Sequence, residues 1–182
     1  MIHNLDGEYI PSEKRKKILL IGDDIRTTSG VAGVLRDTVI GTSMKYNWVQ
    51  IAGSLSHPEH GRRLDLSEDT NNHAQIKDSS VILYPFNGYG DANFVKQLIE
   101  FEKPDALMIM TDPRYYYWLF QIEDEIRRKI PLIYLSIWDD LPYPHYNFPF
   151  YASCDALFGI SKQTHNIHKV VLNKGQVDWK EI

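Results

Sequence analysis

Short apolar runs alternate along most of the chain with polar stretches that have helical spacing. Six of these runs have the length and apolar character of buried strands; they are residues 17–21, 47–52, 81–84, 105–110, 132–137 and 156–160. This alternation predicts an α/β fold. We expect a single Rossmann-like doubly wound domain, in which a mostly parallel sheet of about six strands has helices on both faces.

The helices are predicted from apolar residues that recur every three to four positions. Helices are expected over residues 30–40, 115–128 and 161–171. A further helix begins after Asp91, a plausible N-cap, and ends at Pro104. In that helix Phe94, Leu98 and Phe101 are expected to share one face.

The polar connection at residues 54–80 is too long for an ordinary loop, and we expect it to be functional or partly mobile. Residues 62–66 are a candidate for a short extra strand within it. The connection carries His57, His60 and His73, but a metal centre needs three or four ligands held by rigid elements. A segment rich in Gly, Asn, Asp and Ser does not hold side chains in that way, so no metal is expected.

Composition narrows the class of protein mainly by exclusion. The length of 182 residues suits one domain, and the apolar and charged contents of 43% and 24% are typical of soluble globular proteins. No apolar run approaches the roughly 18 residues of a membrane helix. The N-terminal residues lack the apolar core of a secretory signal. A cytoplasmic protein without a transmembrane segment is therefore expected.

Charge and cysteine usage exclude two further classes. The net charge is −4 and the only run of four basic residues is at residues 14–17, so nucleic acid is not an expected partner and this cluster is interpreted as a solvated lead-in. The single cysteine, Cys154, rules out an internal disulfide framework. Its position just before a predicted strand favours a buried, inert thiol over a nucleophile.

The loop after the first strand, GDDIRTTSG at residues 22–30, lies where a doubly wound sheet presents a helix N-terminus to an anion. It matches neither GxGxxG nor GxxxxGK[ST], so NAD chemistry and ordinary phosphate-loop chemistry are disfavoured. Ser29 and Gly30, with Arg26 nearby, are candidates for ligand contact. The structural alternative is that Ser29 caps the helix and Gly30 permits a tight turn.

A carboxylate and a guanidinium follow the fourth strand as Asp112 and Arg114. They are candidates for ligand binding at the carboxyl edge of the sheet, and helix capping by Asp112 before Pro113 is the alternative. An aromatic-rich stretch begins at Tyr115. Four successive aromatics surround a helix, so some of them are expected to face solvent, a second domain or a ligand.

The fifth strand leads into Trp138, Asp139 and Asp140, and two prolines stiffen the segment that follows. Adjacent residues of an extended chain point in opposite directions, so the two carboxylates are expected to have different roles. His145 is a candidate proton shuttle or hydrogen-bond donor, with packing as the alternative. Ser161, at the start of the last helix, favours an N-cap over a nucleophile.

Several segments, taken together, resemble the N-terminal half of a two-domain glycosyltransferase of the GT-B type, close to the family 4 group. The resemblance covers residues 16–172, and its last two segments carry most of it. The segments are KILLIGDD, TTSGVAGVLRDTVIG, EKPDALMIMTDP, IPLIYLSIWDDLPYP and CDALFGISKQT. Residues 1–15 would then be a lead-in, and residues 173–182 a tail or the start of an interdomain linker.

The resemblance implies a function and roles for the candidate residues. The chain would be the acceptor-side half of an enzyme that transfers a sugar from a nucleotide-sugar to a hydroxyl or glycan acceptor, with retention of configuration and no metal or other cofactor. Ser29, Gly30 and Arg26 would border the donor phosphates. Asp139 or Asp140 would contact the acceptor hydroxyl, and Trp138 and Tyr143 would shape the sugar site.

Two departures from the family pattern bear on these roles. Many relatives have a His at the position of Trp138 or Asp139, so the catalytic assignment does not transfer directly. The donor-binding half is also missing from the sequence, so we expect a fragment, a truncated reading frame or one subunit completed by a donor domain in trans. The alternative function is a Rossmann-like module that binds a glycan or a protein and performs no chemistry.

Overall fold

The computed structural model describes residues 9–172 and contains a seven-stranded sheet. Its order is β3-β4-β2-β1-β5-β6-β7, and every neighbouring pair is parallel except β3 with β4. The predicted α/β domain with a mostly parallel sheet is confirmed. The strands are β1 (Lys16–Asp23), β2 (Tyr46–Gly53), β3 (Leu64–Asp65), β4 (Val81–Pro85), β5 (Ala106–Met110), β6 (Leu132–Ser136) and β7 (Ala156–Gly159).

Helices connect most of the strands and cover the sheet. Within residues 9–172, three 3-10 turns accompany them, at Ser12–Lys14, Pro113–Tyr116 and His145–Asn147. The helices are α1 (Gly30–Thr42), α2 (Ser67–Ala74), α3 (Ala92–Glu102), α4 (Tyr117–Phe120), α5 (Glu123–Arg127), α6 (Phe148–Ala152) and α7 (Lys162–Val171).

The core has two parts, one on each face of the sheet. Successive residues of a strand point to opposite faces. In β1, Leu19 and Ile21 therefore join one cluster, which also contains residues of α3 and α7, whereas Leu20 joins another with Leu35 and Val39 of α1. Helices pack on both faces of the sheet, which explains why the central strands are apolar on both faces, whereas Phe158 of β7 is 54% exposed.

The predicted helix at 115–128 is wrong as a single element. The chain forms a 3-10 turn at Pro113–Tyr116, then α4, then α5 beginning after Ile122. The hydroxyl of the fully buried Tyr116 donates to the carbonyl oxygens of Met110, at 2.5 Å, and Ile21, at 3.1 Å. These contacts fix the tight turn at the sheet edge, and the apolar periodicity could not reveal them.

Two details of the helices also differ from prediction. Phe101 is 72% exposed, because the buried face of α3 consists of Val95, Leu98, Ile99 and Glu102. The carboxylate of Glu102 accepts a hydrogen bond from Tyr84 at 2.7 Å, which holds the end of the helix in this orientation. The polar connection at 54–80 contains α2, which has too few apolar residues to show a helical pattern, and the short strand β3, as proposed.

The basic cluster before β1 is not wholly solvated. The Arg15 side chain is buried, donates to the carbonyls of Ile10, Met44 and Asp78, and forms an ion pair with Asp78 at 2.7 Å. Its buried role contradicts the interpretation of residues 14–17 as a solvated lead-in. The rest of the predicted lead-in, residues 1–8, and the predicted tail, residues 173–182, lie outside the described residues.

The strand order reverses direction at β1, which has β2 on one side and β5 on the other. Loops that leave the carboxyl ends of such strands diverge and leave a crevice, which is where open α/β sheets bind ligands. Close packing shapes one side of this crevice: a Cβ on Gly53 would lie 2.3 Å from the carbonyl oxygen of Gly88. This approach brings Tyr89 over the end of β1.

Candidate functional site

Two groups of polar side chains lie at the carboxyl edge of the sheet. The first is the first-strand loop, residues 23–30, between β1 and α1. The second, the edge groove, has a volume of about 280 Å³ and follows β5 and β6. The edge groove is lined by Thr111, Asp112, Arg114, Tyr134, Ile137, Trp138, Asp139 and Asp140.

In the first-strand loop, buried Asp23 already has hydrogen-bond partners. Its carboxylate accepts from the Ser29 hydroxyl at 2.6 Å and from the Tyr89 hydroxyl at 2.8 Å. Burial, followed by the hydrogen bond to Asp23, raises the pKa of Tyr89. Ser29 also accepts from the amide of Ala32 at 3.0 Å, so the N-cap role of Ser29 is confirmed.

The next residue, Asp24, is also buried and paired. Its carboxylate accepts from Arg26 at 2.7 and 3.1 Å, and Arg26 reaches Glu59 at 3.0 Å. The hydrogen bonds from Arg26 to Asp24 raise the pKa of Arg26. Nε2 of His57 lies 3.7 Å from Asp24 and has no hydrogen-bond partner among residues 9–172. The sequence pattern did not indicate Glu59, and it raised His57 only as a metal ligand, because both residues come from the long connection after β2.

Gly30 lies at the open end of the first-strand loop. It is exposed, and a Cβ there would meet nothing within 4 Å. Packing therefore does not require a glycine at position 30. Contact of Gly30, Ser29 or Arg26 with a ligand remains a prediction, and the side chains of Ser29 and Arg26 are bound to Asp23 and Asp24.

In the edge groove, Asp112 and Arg114 form a pair that also begins a turn. Asp112 accepts from the amide of Arg114 at 2.9 Å and from its guanidinium at 2.5 to 3.0 Å, so capping is confirmed. Burial alone would raise the pKa of Asp112, but the hydrogen bonds from Arg114 outweigh it and lower that pKa. The preceding residue, Thr111, has a φ of 108°, a strained conformation of the kind that concentrates at functional sites.

Trp138 lines the edge groove and packs against Tyr146 outside the lining. The rings of Trp138 and Tyr146 meet edge to face, with centroids 5.8 Å apart. The guanidinium of Arg114 lies 5.9 Å from the centre of each ring, within the range of a cation–π interaction. The Trp138 indole N–H donates to the carbonyl of Asp140 at 3.1 Å, which fixes the indole beside the two carboxylates.

Asp139 and Asp140 are exposed at the mouth of the edge groove. The carboxylate of Asp140 accepts from the amide of Leu141 at 2.8 Å, whereas the main-chain carbonyl of Asp139 accepts from Gln163 at 2.6 Å. Across residues 9–172, neither carboxylate forms an ion pair. Both are accessible to a ligand, and the Asp139 carboxylate is the less engaged of the two.

Two predicted site residues do not line the edge groove. Tyr143 is half-buried and packs against the main core cluster. His145 is exposed, and its ring lies 6.4 Å from that of Tyr143. The structure therefore brings together Asp112, Arg114, Trp138, Asp139 and Asp140, but not Tyr143 or His145.

A stack of buried rings lies behind the edge groove. Tyr134, which lines it, donates to the carbonyl of Thr111 at 2.7 Å and lies 5.9 Å from the ring of Tyr151. Tyr151 in turn meets His168 edge to face at 4.9 Å. Burial, with a smaller effect from His165, lowers the pKa of His168 to about 4. The sequence did not single out these residues, because they occupy ordinary positions of a predicted strand and of helices.

Two other predicted side-chain roles are settled by local contacts. Ser161 accepts from the amide of Thr164 at 3.0 Å, which confirms that it caps α7. Burial raises the pKa of the Cys154 thiol to about 12, and the thiol donates to the carbonyl of Phe150 at 3.2 Å. A thiol protonated at neutral pH is a poor nucleophile.

A larger cavity, of about 470 Å³, lies at the opposite, amino edge of the sheet. Its lining is mainly apolar, with Trp48, Met108 and Phe158 among its residues, and its charged residues Lys16 and Asp105 pair with each other at 2.6 Å. A third, of about 180 Å³, lies between α1 and α2. Neither combines unpaired carboxylates with aromatic faces, so the edge groove is the better candidate site.

Three negative findings complete the description of the site: they concern metal ligands, membrane-spanning helices and known relatives. Over residues 9–172, no group of three or more His, Cys, Asp or Glu side chains is arranged to hold a metal ion. No helix in that part of the chain is long and apolar enough to cross a membrane. The chain was also compared with protein-family models, curated proteins and solved structures, and none of them matches it.

Proposed function

We propose that this chain is the acceptor-binding half of a glycosyltransferase that moves a sugar from a nucleotide-sugar to a hydroxyl acceptor. The observation that carries the proposal is the edge groove, in which Trp138 and the carboxylates of Asp139 and Asp140 converge at the carboxyl edge of a doubly wound sheet. Aromatic faces pack well against the C–H faces of a sugar. Carboxylates accept hydrogen bonds from its hydroxyl groups.

The proposed chemistry requires this half to position the acceptor. In the transfer, a bond forms between the acceptor oxygen and the anomeric carbon, while the bond from that carbon to the diphosphate breaks. The diphosphate leaves with the electron pair, and the proton of the hydroxyl passes to a base. We assign that role to the carboxylate of Asp139 or Asp140. For a retaining transfer the hydroxyl must be held on the face of the anomeric carbon from which the diphosphate departs, and this positioning supplies much of the rate enhancement.

The proposed donor contact is limited by the first-strand loop. The side chains of Ser29 and Arg26 are bound to Asp23 and Asp24. A donor diphosphate near α1 would therefore meet the Asp23 carboxylate as well as the positive end of the helix dipole. Most of its neutralisation would come from a donor domain, in cis or in trans. The resemblance to the GT-B type implies a retaining transfer.

This proposal is tested by transfer assays with the chain alone and with candidate donor-domain proteins, using a panel of nucleotide-sugars and simple sugar acceptors. We expect no transfer by the chain alone and transfer when a donor domain is added. Asp139→Asn and Asp140→Asn are compared separately. The variant that removes the base should reduce transfer roughly 100-fold or more, while sugar binding changes little. Transfer by the isolated chain would show that it is not half of an enzyme.

The occupied first-strand loop specifically favours a second function, a sugar-binding module that performs no chemistry. Because its charged and hydroxyl side chains are already paired, the loop offers few free groups to a phosphate. In that case sugars would bind at the edge groove but nucleotide-sugars would bind no more tightly than the corresponding free sugars. Parallel titrations with a nucleotide-sugar and its free sugar distinguish the two functions.

A further inference from the structure

The charges around the edge groove do not balance. Asp112 and Arg114 neutralise each other through three guanidinium hydrogen bonds. Asp139 and Asp140 have no such partner: within residues 9–172, no ion pair includes either of them. Their charges are exposed at the groove, whereas Asp112 is only 21% exposed. A ligand in the edge groove therefore meets the net negative field of these two carboxylates.

The ring of Trp138, which lines the groove, and that of its neighbour Tyr146 reinforce the preference for a positive group. The faces of indole and phenol rings carry negative electrostatic potential and attract cations. Trp138 and Tyr146 already attract one, because the Arg114 guanidinium lies over both rings. The rings and the unpaired carboxylates are independent features of the structure, and both make the electrostatic potential in the groove more negative. Both disfavour a negatively charged group and stabilise a positive one.

We infer that the acceptor is an uncharged or amine-bearing sugar rather than a phosphorylated or acidic one, and that Asp139 and Asp140 determine this specificity. The inference rests on the proposed function and narrows its substrate class. An ammonium group beside the two carboxylates gains charge-assisted hydrogen bonds. A phosphate or carboxylate group in the same place is repelled and must also be stripped of water. Selection in the edge groove is thus achieved largely by rejection of the wrong charge.

The inference is tested by NMR titration of the full chain with three monosaccharides that differ mainly in charge: methyl glucosaminide, methyl glucoside and glucose 6-phosphate. Dissociation constants are measured at low ionic strength and near pH 6.5, where the amine is protonated. We expect methyl glucosaminide to bind most tightly and glucose 6-phosphate most weakly. One carboxylate at close range in water changes affinity by roughly fivefold, so a total range of about 25-fold or more is expected.

The double variant Asp139→Asn with Asp140→Asn removes the unpaired charges and keeps the size of both side chains. It should reduce the preference for methyl glucosaminide over glucose 6-phosphate about tenfold or more. The matched control is Glu13→Gln with Asp124→Asn, which removes two exposed charges from segments that precede β1 and β6, away from the groove. The control should retain the preference of the unmodified chain.

The outcomes separate this inference from the function on which it rests. If glucose 6-phosphate binds as tightly as methyl glucosaminide, or if the double variant keeps the full preference, the charge-selection inference is wrong while the sugar-binding function stands. If none of the three sugars perturbs the edge groove, both are wrong. Added salt should weaken the preference in the unmodified chain, because exposed charges are screened.

Discussion

Two Asp-X-Arg turns at the same edge of the sheet have the same local geometry but different surroundings. After β1, Asp24 accepts from the amide and guanidinium of Arg26, and after β5, Asp112 accepts in the same way from Arg114. The Asp24 side chain is 1% exposed and that of Asp112 is 21% exposed, and the exposed fraction rises from 34% at Arg26 to 61% at Arg114. The same short motif therefore serves as an internal brace in one loop and as part of an open groove in the other.

What surrounds each turn explains the difference. The first turn is extended by Glu59 and approached by His57, both from the connection after β2. The second turn faces Trp138 from the neighbouring loop after β6 and leaves space between them. Polar groups that satisfy one another stabilise the fold, and those that remain accessible can bind a ligand. On this comparison, the first-strand loop is mainly structural and the edge groove is the site of recognition.

The largest expected effect comes from removing the carboxylate of Asp23. Asp23→Ala leaves the hydroxyls of Ser29 and Tyr89 without their acceptor in a largely buried position. We expect the free energy of unfolding to fall by about 3 kcal/mol. Urea unfolding measures this change in the free energy of unfolding. The matched variant Asp139→Ala, at the exposed edge of the groove, should change it by less than about 0.5 kcal/mol. Equal losses would contradict the comparison.

The ring stack behind the edge groove predicts a pH dependence. The pKa of His168 is lowered to about 4, so between its ordinary value near 6.5 and about 4 the unfolded chain binds a proton that the folded chain does not. Stability from this residue is complete above pH 6.5 and is lost as the pH falls towards 4. Over that range, the unmodified chain should lose about 2 to 3 kcal/mol more than His168→Gln does.

Because carboxylates also titrate in this range, the test is the difference between the two proteins at each pH. Urea unfolding at pH 6.5, 5.5 and 4.5 is sufficient. Parallel curves for the unmodified chain and His168→Gln would show that His168 is not held neutral in the folded protein.

The two turns can be compared directly with one substitution in each. Asp24→Asn removes a buried carboxylate from Arg26, and we expect a loss of about 2 kcal/mol in the free energy of unfolding. Asp112→Asn retains a good capping residue and removes only an exposed ion pair, so its expected loss is about 0.5 kcal/mol or less. Urea unfolding of both variants is the measurement. A larger loss at Asp112 would reverse the assignment of structural and open turns.

A smaller effect is expected from the hydroxyl that links the β4 side of the sheet to the first-strand loop. Tyr89→Phe removes the hydrogen bond to Asp23 and should lower the free energy of unfolding by about 1 kcal/mol. Tyr115→Phe is the matched control, because Tyr115 stacks on Tyr89 but is 59% exposed. The control should have no measurable effect, and a similar loss in both variants would argue against the Asp23 bond as the cause.

Much of the fold followed from the apolar pattern because buried parallel strands are nearly continuous apolar runs. The predicted strand at 105–110 is β5, and the caps Ser29, Asp91 and Ser161 follow from local chemistry. Features that depend on distant contacts could not be predicted. The 3-10 turn at Pro113–Tyr116 depends on the Tyr116 hydroxyl, and α2 lacks an apolar stripe.

The candidate site was partly predictable for the same reason. Asp112, Arg114 and the 138–140 segment follow neighbouring strands, so sheet topology alone places them at one edge. Sequence could not show that Ser29 is hydrogen-bonded to Asp23 and Arg26 to Asp24, because these contacts depend on side-chain orientations that only the folded loop defines. Nor could it show that the loop at 141–147 turns Tyr143 towards the core and packs Tyr146 against Trp138.

The most direct test of the central claim is a two-dimensional NMR titration of the isolated chain with a panel of neutral methyl glycosides. The indole N–H of Trp138 and the amides of residues 139–141 report on the edge groove, and the amide of Gly30 reports on the first-strand loop. We predict saturable shifts at Trp138 and its neighbours, little change at Gly30, and loss of binding in Trp138→Ala but not in Tyr117→Ala, which removes an exposed aromatic elsewhere. An unperturbed Trp138 indole, or shifts centred on Gly30, would contradict the assignment of the edge groove as the sugar site.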